Sequence, residues 1–407
     1  MSKSQRVRIQ PITVRHEPKP LPPAEEIIGK LGQHPEVEAI RARRFSNWLT
    51  TPLDGGLWTS WGNKARLSDM GLTYMAVNEV STTPEPAEVG FRRLLHSRFI
   101  ATNPAISREI EEILAPKYGT PRELEHKYEV WIDDAALLTE EALDRRWYPN
   151  RDLRWEEMQP LPQDLERAFD QFLTYLIQSQ YFCSDVMGPW IGLVHYAFVE
   201  LKSYLAYELF DYNTHSAVLR KRVLSNGGGM GVQVDGVEAG VLEVCNEASH
   251  GFEGEVDRDF NAMVFALDIV FNGLVLDILR LGEAAAPSPF DRGLLGHMVQ
   301  DNARHVAWGC KRINYYLDHC PDREEAVVKL HLIADTIEPL QTEQHLLNPK
   351  VLEPLALLLG GGADQIEGGY ETLRRFWPQF AARYLGRLDA IGLPRRDRCL
   401  IPTKAPF

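Results

Sequence analysis

Basic charge is scarce in this sequence: 44 lysines and arginines stand against 57 aspartates and glutamates, a formal net charge of −13 over 407 residues. Binding a phosphate backbone needs a concentration of cationic side chains, and no basic stripe supplies one, so nucleic acid is excluded as a main partner. Paired cysteines are also missing. The five present, Cys183, Cys245, Cys310, Cys320 and Cys399, are odd in number and form no C-x-x-C or zinc spacing. That excludes a disulfide framework and reads as thiols of a reducing compartment. No run approaches the roughly 18 apolar residues that span a bilayer. The start, Met1-Ser2-Lys3-Ser4-Gln5-Arg6, lacks an apolar signal core. The expectation is a cytoplasmic chain with no membrane segment. Tandem repeats are absent too, and the glycine run Gly227-Gly228-Gly229-Met230-Gly231 neither follows a strand nor matches a phosphate loop.

What is present is ample core material: 44% hydrophobic and 10% aromatic residues, with 25% charged, the balance of a globular protein. Residues 1–45 are polar, with prolines at 11, 18, 20, 22 and 23, and predict an extended arm ending in a short helix from Ala24 to Leu31. Residues 46–120 carry Trp48, Trp58 and Trp61 among turn residues and predict irregular structure followed by short helices, one over 104–117.

From 121 to 320 the pattern is helical. After a helix within 121–146, Leu165, Phe169, Phe172, Leu173, Leu176 and Ile177 recur at steps of three and four and predict a helix over 162–187, stopped by Gly188-Pro189. A second, 190–224, carries Val194, Leu201, Tyr204, Leu205, Val218 and Leu219 and ends at the glycines. A third, 257–283, is apolar almost all round, as a helix buried on every side must be. The fourth, 290–319, carries Leu294, Leu295, Met298, Trp308 and Ile313. Two long hairpins joined by a glycine-rich, then helical, crossover over 225–256 predict an all-α fold built on a four-helix bundle with a long connection. Residues 321–407 add helices broken at Pro349 and at Gly360-Gly361-Gly362, packed on that bundle.

Ionisable groups interrupt the buried stripes. Asp211 and His215 continue the stripe of the second helix, Asp301 and His305 that of the fourth, and residues four apart share a helix face. Carboxylate di-iron sites in such bundles take a glutamate from each of two helices and Glu-x-x-His from each of the others, since two irons need about four anionic oxygens and two imidazoles. Here Tyr212 stands three residues before His215 and Asn302 three before His305; the lone-glutamate positions offer Asn272 and Gln178 or Gln180. The segment Asp301-Asn302-Ala303-Arg304-His305 keeps the frame Asp-Glu-x-Arg-His with asparagine in place of the bridging glutamate. The set Gln178, Gln180, Tyr212, His215, Asn272, Asn302 and His305 therefore reads as a degenerate metal site, empty and closed by hydrogen bonds. Two other readings stand beside it: ordinary core polar residues, and a shifted metal site on Asp211, His215, Asp301 and His305 helped by Glu200, Glu208 or Asp268. Glu247-Ala248-Ser249-His250 has the Glu-x-x-His spacing but lies in a polar stretch and reads as a solvated face. His195, Trp147 and Trp155 read as core or contact residues.

Over roughly 120–330 the chain resembles the hydroxylases of the bacterial multicomponent monooxygenases that act on methane, propane, alkenes, toluene or phenol, within the ferritin-like, ribonucleotide-reductase-like superfamily. The stretches that carry it are Phe210-Asp211-Tyr212-Asn213-Thr214-His215, the run from Asp259 through Leu279, and Asp301-Asn302-Ala303-Arg304-His305 with Trp308. The replaced glutamates at Tyr212, Asn272 and Asn302 make it most similar to the small beta subunit. The resemblance implies a structural chain with no catalytic residue and no cofactor of its own. Its expected partners are a catalytic alpha subunit holding the di-iron centre and a small gamma subunit, assembled as a dimer of heterotrimers. A regulatory protein and an NADH-dependent flavin and iron–sulfur reductase complete the system that oxidises the hydrocarbon. The arm 1–45 and the tryptophans of 46–61 are the implied contacts with alpha.

Overall fold

The computed structural model describes residues 134–193, 199–225, 229–250, 259–320 and 322–407. The expected arm, the tryptophan-bearing region 46–120, the helix over 104–117, His195 and the side chains of Ser249 and His250 lie outside the described residues. Among the described residues every regular element is a helix. In chain order they are α1 (Asp134–Asp144), α2 (Gln163–Leu193), α3 (Val199–Ser225), α4 (Val241–His250), α5 (Phe260–Ala285), α6 (Pro289–His319), α7 (Arg323–Leu340), α8 (Pro349–Gly360) and α9 (Ile366–Ala390).

Local chemistry sets the ends. Asp259 accepts the amide of Ala262 at the start of α5, and Ser288 accepts that of Asp291 ahead of Pro289 at the first position of α6. Asn348 and Pro349 open α8 in the same way. Gly361, left-handed at φ 85°, closes it, with the amides of Gly361 and Gly362 both 3.0 Å from the Leu357 carbonyl. The expected stop at Gly188-Pro189 does not occur: α2 runs on to Leu193 with Pro189 inside it. A proline removes one i to i−4 bond, and buried Val186, Met187 and Trp190 on either side keep the helix packed across the gap.

The helices pack as two hairpins, α2 with α3 and α5 with α6; α1 lies on α3 and α6, and α7 to α9 close the other side, α8 along α2. The expectation of no bilayer-length apolar segment needs correction, because α5 is long and apolar enough. Its most apolar stretch is wholly buried by the surrounding helices, which is where a helix apolar on every face belongs. Within α5 the stretch Phe265–Phe271 is wound as a π-helix, an irregularity with no signature in the apolar pattern. A second π turn, Gln341–Leu346, continues α7, and its His345 ring lies 5.6 Å from that of Phe271. Gly309 of α6 lets this widened part of α5 approach: a Cβ there would stand 2.6 Å from Cβ of Asp268.

The crossover after α3 is extended, and two glutamines hold it. Gln171 takes both backbone groups of Val232 (2.7 and 2.8 Å), and Gln178, two turns on, takes both of Val234 (2.7 and 3.1 Å). Each side-chain amide stands in for a neighbouring strand by pairing with both the N–H and the C=O of one residue. Beyond α9 the tail is latched by the fully buried Glu338, which accepts Arg395 Nε, Arg395 Nη2, the Tyr384 hydroxyl and the Leu400 amide at 2.7–3.0 Å.

Candidate functional site

Between α2, α3, α5 and α6 the structure gathers the polar residues of the stripes. His215 and His305 are fully buried at equivalent places on α3 and α6. Each histidine takes its carboxylate from the opposite helix. His215 Nε2 lies 3.0 Å from Asp301 Oδ2, and His305 Nε2 lies 3.1 Å from Asp211 Oδ2. A single nitrogen, Arg304 Nη2, donates to both carboxylates, at 2.7 Å to Asp211 and 2.8 Å to Asp301. Trp147, from the segment after α1, donates its indole N–H to Asp301 Oδ2 at 2.8 Å and stacks its ring on His215 and on the half-buried His297.

Burial alone would push the Asp301 carboxyl up, but the hydrogen bond and charge of His215, the Arg304 cation and the Trp147 N–H together hold it well below the usual carboxylate range. Burial likewise opposes the Arg304 charge, and the two aspartates more than restore it. This half of the site is an ion-paired cross-link between α3 and α6.

The other half is a chain of shared protons. Tyr212 donates to Glu208 Oε1 at 2.5 Å, and Asn272 donates to the Tyr212 oxygen at 2.7 Å and to Asp268 at 3.4 Å. The Cys183 thiol lies 3.2 Å from Asn272 Oδ1. Burial and the Glu208 charge push Asp268 well above the carboxylate range, and burial also raises Glu208. His305 Nδ1 faces Glu208 Oε1 at 3.9 Å with no hydrogen-bond partner, and Asn302 turns its amide N–H back to the Met298 carbonyl, leaving its own oxygen unpartnered.

Gln180 Oε1 lies 2.8 Å from His215 Nδ1, whereas Gln178 points the other way, onto the crossover. Of the seven degenerate-site residues, contacts join Gln180 to His215 and Tyr212 to His305 and Asn272, while Asn302 turns back onto its own helix and Gln178 lies away from the site. Two residues along a helix are about 200° apart, so only one of the glutamines can face the centre. Glu200 is also remote, about 12 Å along α3 from Glu208. Trp147, Arg304 and Cys183 belong to the site in addition to the residues predicted for it. Arg304 was legible, because it lies one turn after Asp301 on the same face. Trp147 comes from a distant segment and carries no local signal.

The donors present do not fit a dinuclear iron centre. Four of the six ligand positions offer the neutral Gln180, Tyr212, Asn272 and Asn302, and of the available carboxylates Glu208 already accepts from Tyr212 and Asp268 from Asn272. A metal on Asp211, His215, Asp301 and His305 would have to displace the guanidinium that already bridges both aspartates. Among the described residues no group of three or more His, Cys, Asp or Glu is placed to hold a metal ion. Neither a protein-family model nor a curated protein matches the chain.

Proposed function

We propose that this chain is the non-catalytic beta-type subunit of a cytoplasmic multicomponent monooxygenase hydroxylase, a ferritin-like bundle whose own metal site has been lost. One observation carries the reading: His215 and His305 keep the outer support of metal-bound imidazoles while the positions around them lack anionic ligands. A metal-ligating histidine nearly always donates its second ring nitrogen to a carboxylate that fixes its orientation. Both histidines do so here, through Asp301 and Asp211, in a two-fold arrangement. Gln180, Tyr212, Asn272 and Asn302 stand where four anionic ligands would balance two irons.

In this role the chain contributes surface and rigidity. The Arg304-centred cross-link ties α3 to α6, so that the bundle is held without an ion. The reaction, insertion of an oxygen atom into a hydrocarbon with electrons from NADH, belongs to a companion alpha subunit, with a gamma subunit, a regulatory protein and a reductase completing the system.

The test has two arms. Metal analysis of the purified full chain is expected to find less than stoichiometric iron or manganese. Co-expression with a larger neighbouring reading frame bearing two intact Glu-x-x-His helices is expected to yield a stable iron-containing complex. Stoichiometric metal lost on replacing His215 and His305 would overturn the proposal in favour of a self-contained di-metal oxygenase. A stable, metal-free monomer that joins no such companion would point to a bundle reused for another purpose.

A further inference from the structure

Three arginines converge on one carboxylate where α9 packs on α5. Asp277 of α5 is fully buried. It accepts from Arg387 Nη1 at 2.7 Å and Arg280 Nη1 at 3.3 Å, and it pairs with Arg383 Nε at 2.8 Å. Among the described residues these arginines pair with no other carboxylate, so three cations face one anion. Their donors are not used up: Arg383 Nη2, Arg387 Nε and Arg387 Nη2 are buried without a hydrogen-bond partner. The backbone of α5 makes room for the group, because a Cβ at Gly273 would stand 2.7 Å from Arg387 Nε. Arg280 and Arg383 keep 39% and 35% of their side chains exposed, which leaves the group open to solvent on one side.

An apolar cavity of about 30 Å³ adjoins the arginines, lined among others by Ile278, Leu281, Leu355, Phe376, Trp377 and Phe380. Phe376 is the link. Its partly buried ring forms part of the cavity wall and carries the Arg383 guanidinium over its face, 4.9 Å from the centroid. Along α9 the positions Phe376, Phe380, Arg383 and Arg387 follow at steps of four, three and four, one helix face that passes from the cavity to the cations. We propose that this face binds a small aliphatic carboxylate, its head on the arginines and the end of its tail in the cavity.

Each part selects one half of the ligand. A guanidinium fork matches the two oxygens of a carboxylate, and a partly buried cation without an anion is costly. Asp277 can neutralise one of the three arginines, and one is all that an ion pair docking α9 on α5 needs. The other two, with donors to spare, call for a second anion. The cavity offers no polar side chain to hold a water or a hydroxyl, so the group that enters it is hydrocarbon. Its volume takes the end of a chain and not a ring, since benzene occupies a cavity of about 150 Å³. Inorganic phosphate would meet the charge and leave the cavity unfilled, and a neutral alcohol would do the reverse. The inference rests on these contacts and stands apart from the subunit assignment.

Hexanoate, acetate and 1-hexanol are the probes, titrated into the full chain at low salt by isothermal titration calorimetry. Hexanoate should bind about tenfold more tightly than acetate, the effect of burying one to two methylenes. It should exceed 1-hexanol, which lacks the charge, by at least as much. Arg383→Gln, at a half-exposed position, should weaken hexanoate about tenfold or more, as the loss of a charged hydrogen bond does. Ile278→Phe, which fills the cavity, should bring hexanoate down to the level of acetate and leave acetate unchanged. The three probes compared in the unaltered protein make the same test without a core substitution. No hexanoate binding, equal affinity for hexanoate and either other probe, or undiminished hexanoate binding in Arg383→Gln would overturn the site.

Discussion

Asp301 bonds to His215 of the opposite helix, 3.0 Å away, and leaves His305, four residues along its own helix, to Asp211. The exchange makes two helical Asp-x-x-x-His pairs into one tertiary unit, since neither aspartate is satisfied unless α3 and α6 are docked. Arg304 completes it, with its one nitrogen facing both carboxylates.

Removing that cation leaves two buried carboxylates with insufficient compensation. Arg304→Met is expected to lower the unfolding free energy by about 3–5 kcal/mol, the range for breaking a buried charge network from one side. Urea unfolding of the full chain measures it. A loss below about 1 kcal/mol, the value of an exposed pair, would mean that the cross-link is solvated.

Asp301 also sets a pH dependence. Its folded carboxyl titrates below the ordinary range, so the stability it contributes is present above the unfolded value near 3.9 and fades as pH falls toward its folded value. Asp301→Asn should therefore be less stable than the parent at neutral pH, and the gap between them should narrow below about pH 4. Melting temperatures of both proteins from pH 3 to 8 provide the comparison. A gap that widens in acid contradicts the assignment.

Gln171 and Gln178 should be felt at a distance from the histidines. Gln178→Leu removes the two hydrogen bonds that its amide makes to the Val234 backbone, a cost of about 1–3 kcal/mol. Amide exchange at Val234 should accelerate. Gln180→Leu, two positions on, should leave that exchange unchanged.

The tail latch is the fourth test. Glu338→Gln removes the anion that meets Arg395, and the expected result is a loss of about 3 kcal/mol or more together with faster proteolysis between 391 and 407. Equal resistance to protease would show that the aromatic contacts of Phe407 with Tyr370 and Trp377 suffice.

Much of the helical plan was legible because burial imposes its period on the chain: α6 spans Pro289–His319 against an expected 290–319. The polar residues on the apolar stripes were legible for the same reason, since a charge there needs a partner. The partner's identity was not. Asp211 and Asp301 each have a histidine one turn away on their own helix, and only the docking of the two hairpins decides which one is used. Pro189 misled because proline propensity is local, whereas the packing of Val186, Met187 and Trp190 that sustains α2 is tertiary. The choice between Gln178 and Gln180 turned on helix phase; Gln178 lies seven residues after Gln171, on the stripe that faces the crossover.

The π-wound stretch of α5 has a consequence for comparing this chain with others. Such a stretch takes up one residue more than an α-helix of the same rise, so everything after Phe271 is turned by about 100° from where a regular helix would put it. Asn272, Gly273 and Leu274 face their present neighbours only because of that extra residue. Any related helix wound regularly throughout should align with this one across a single-residue gap within 265–271, and an ungapped alignment would match core positions to the wrong side of the helix.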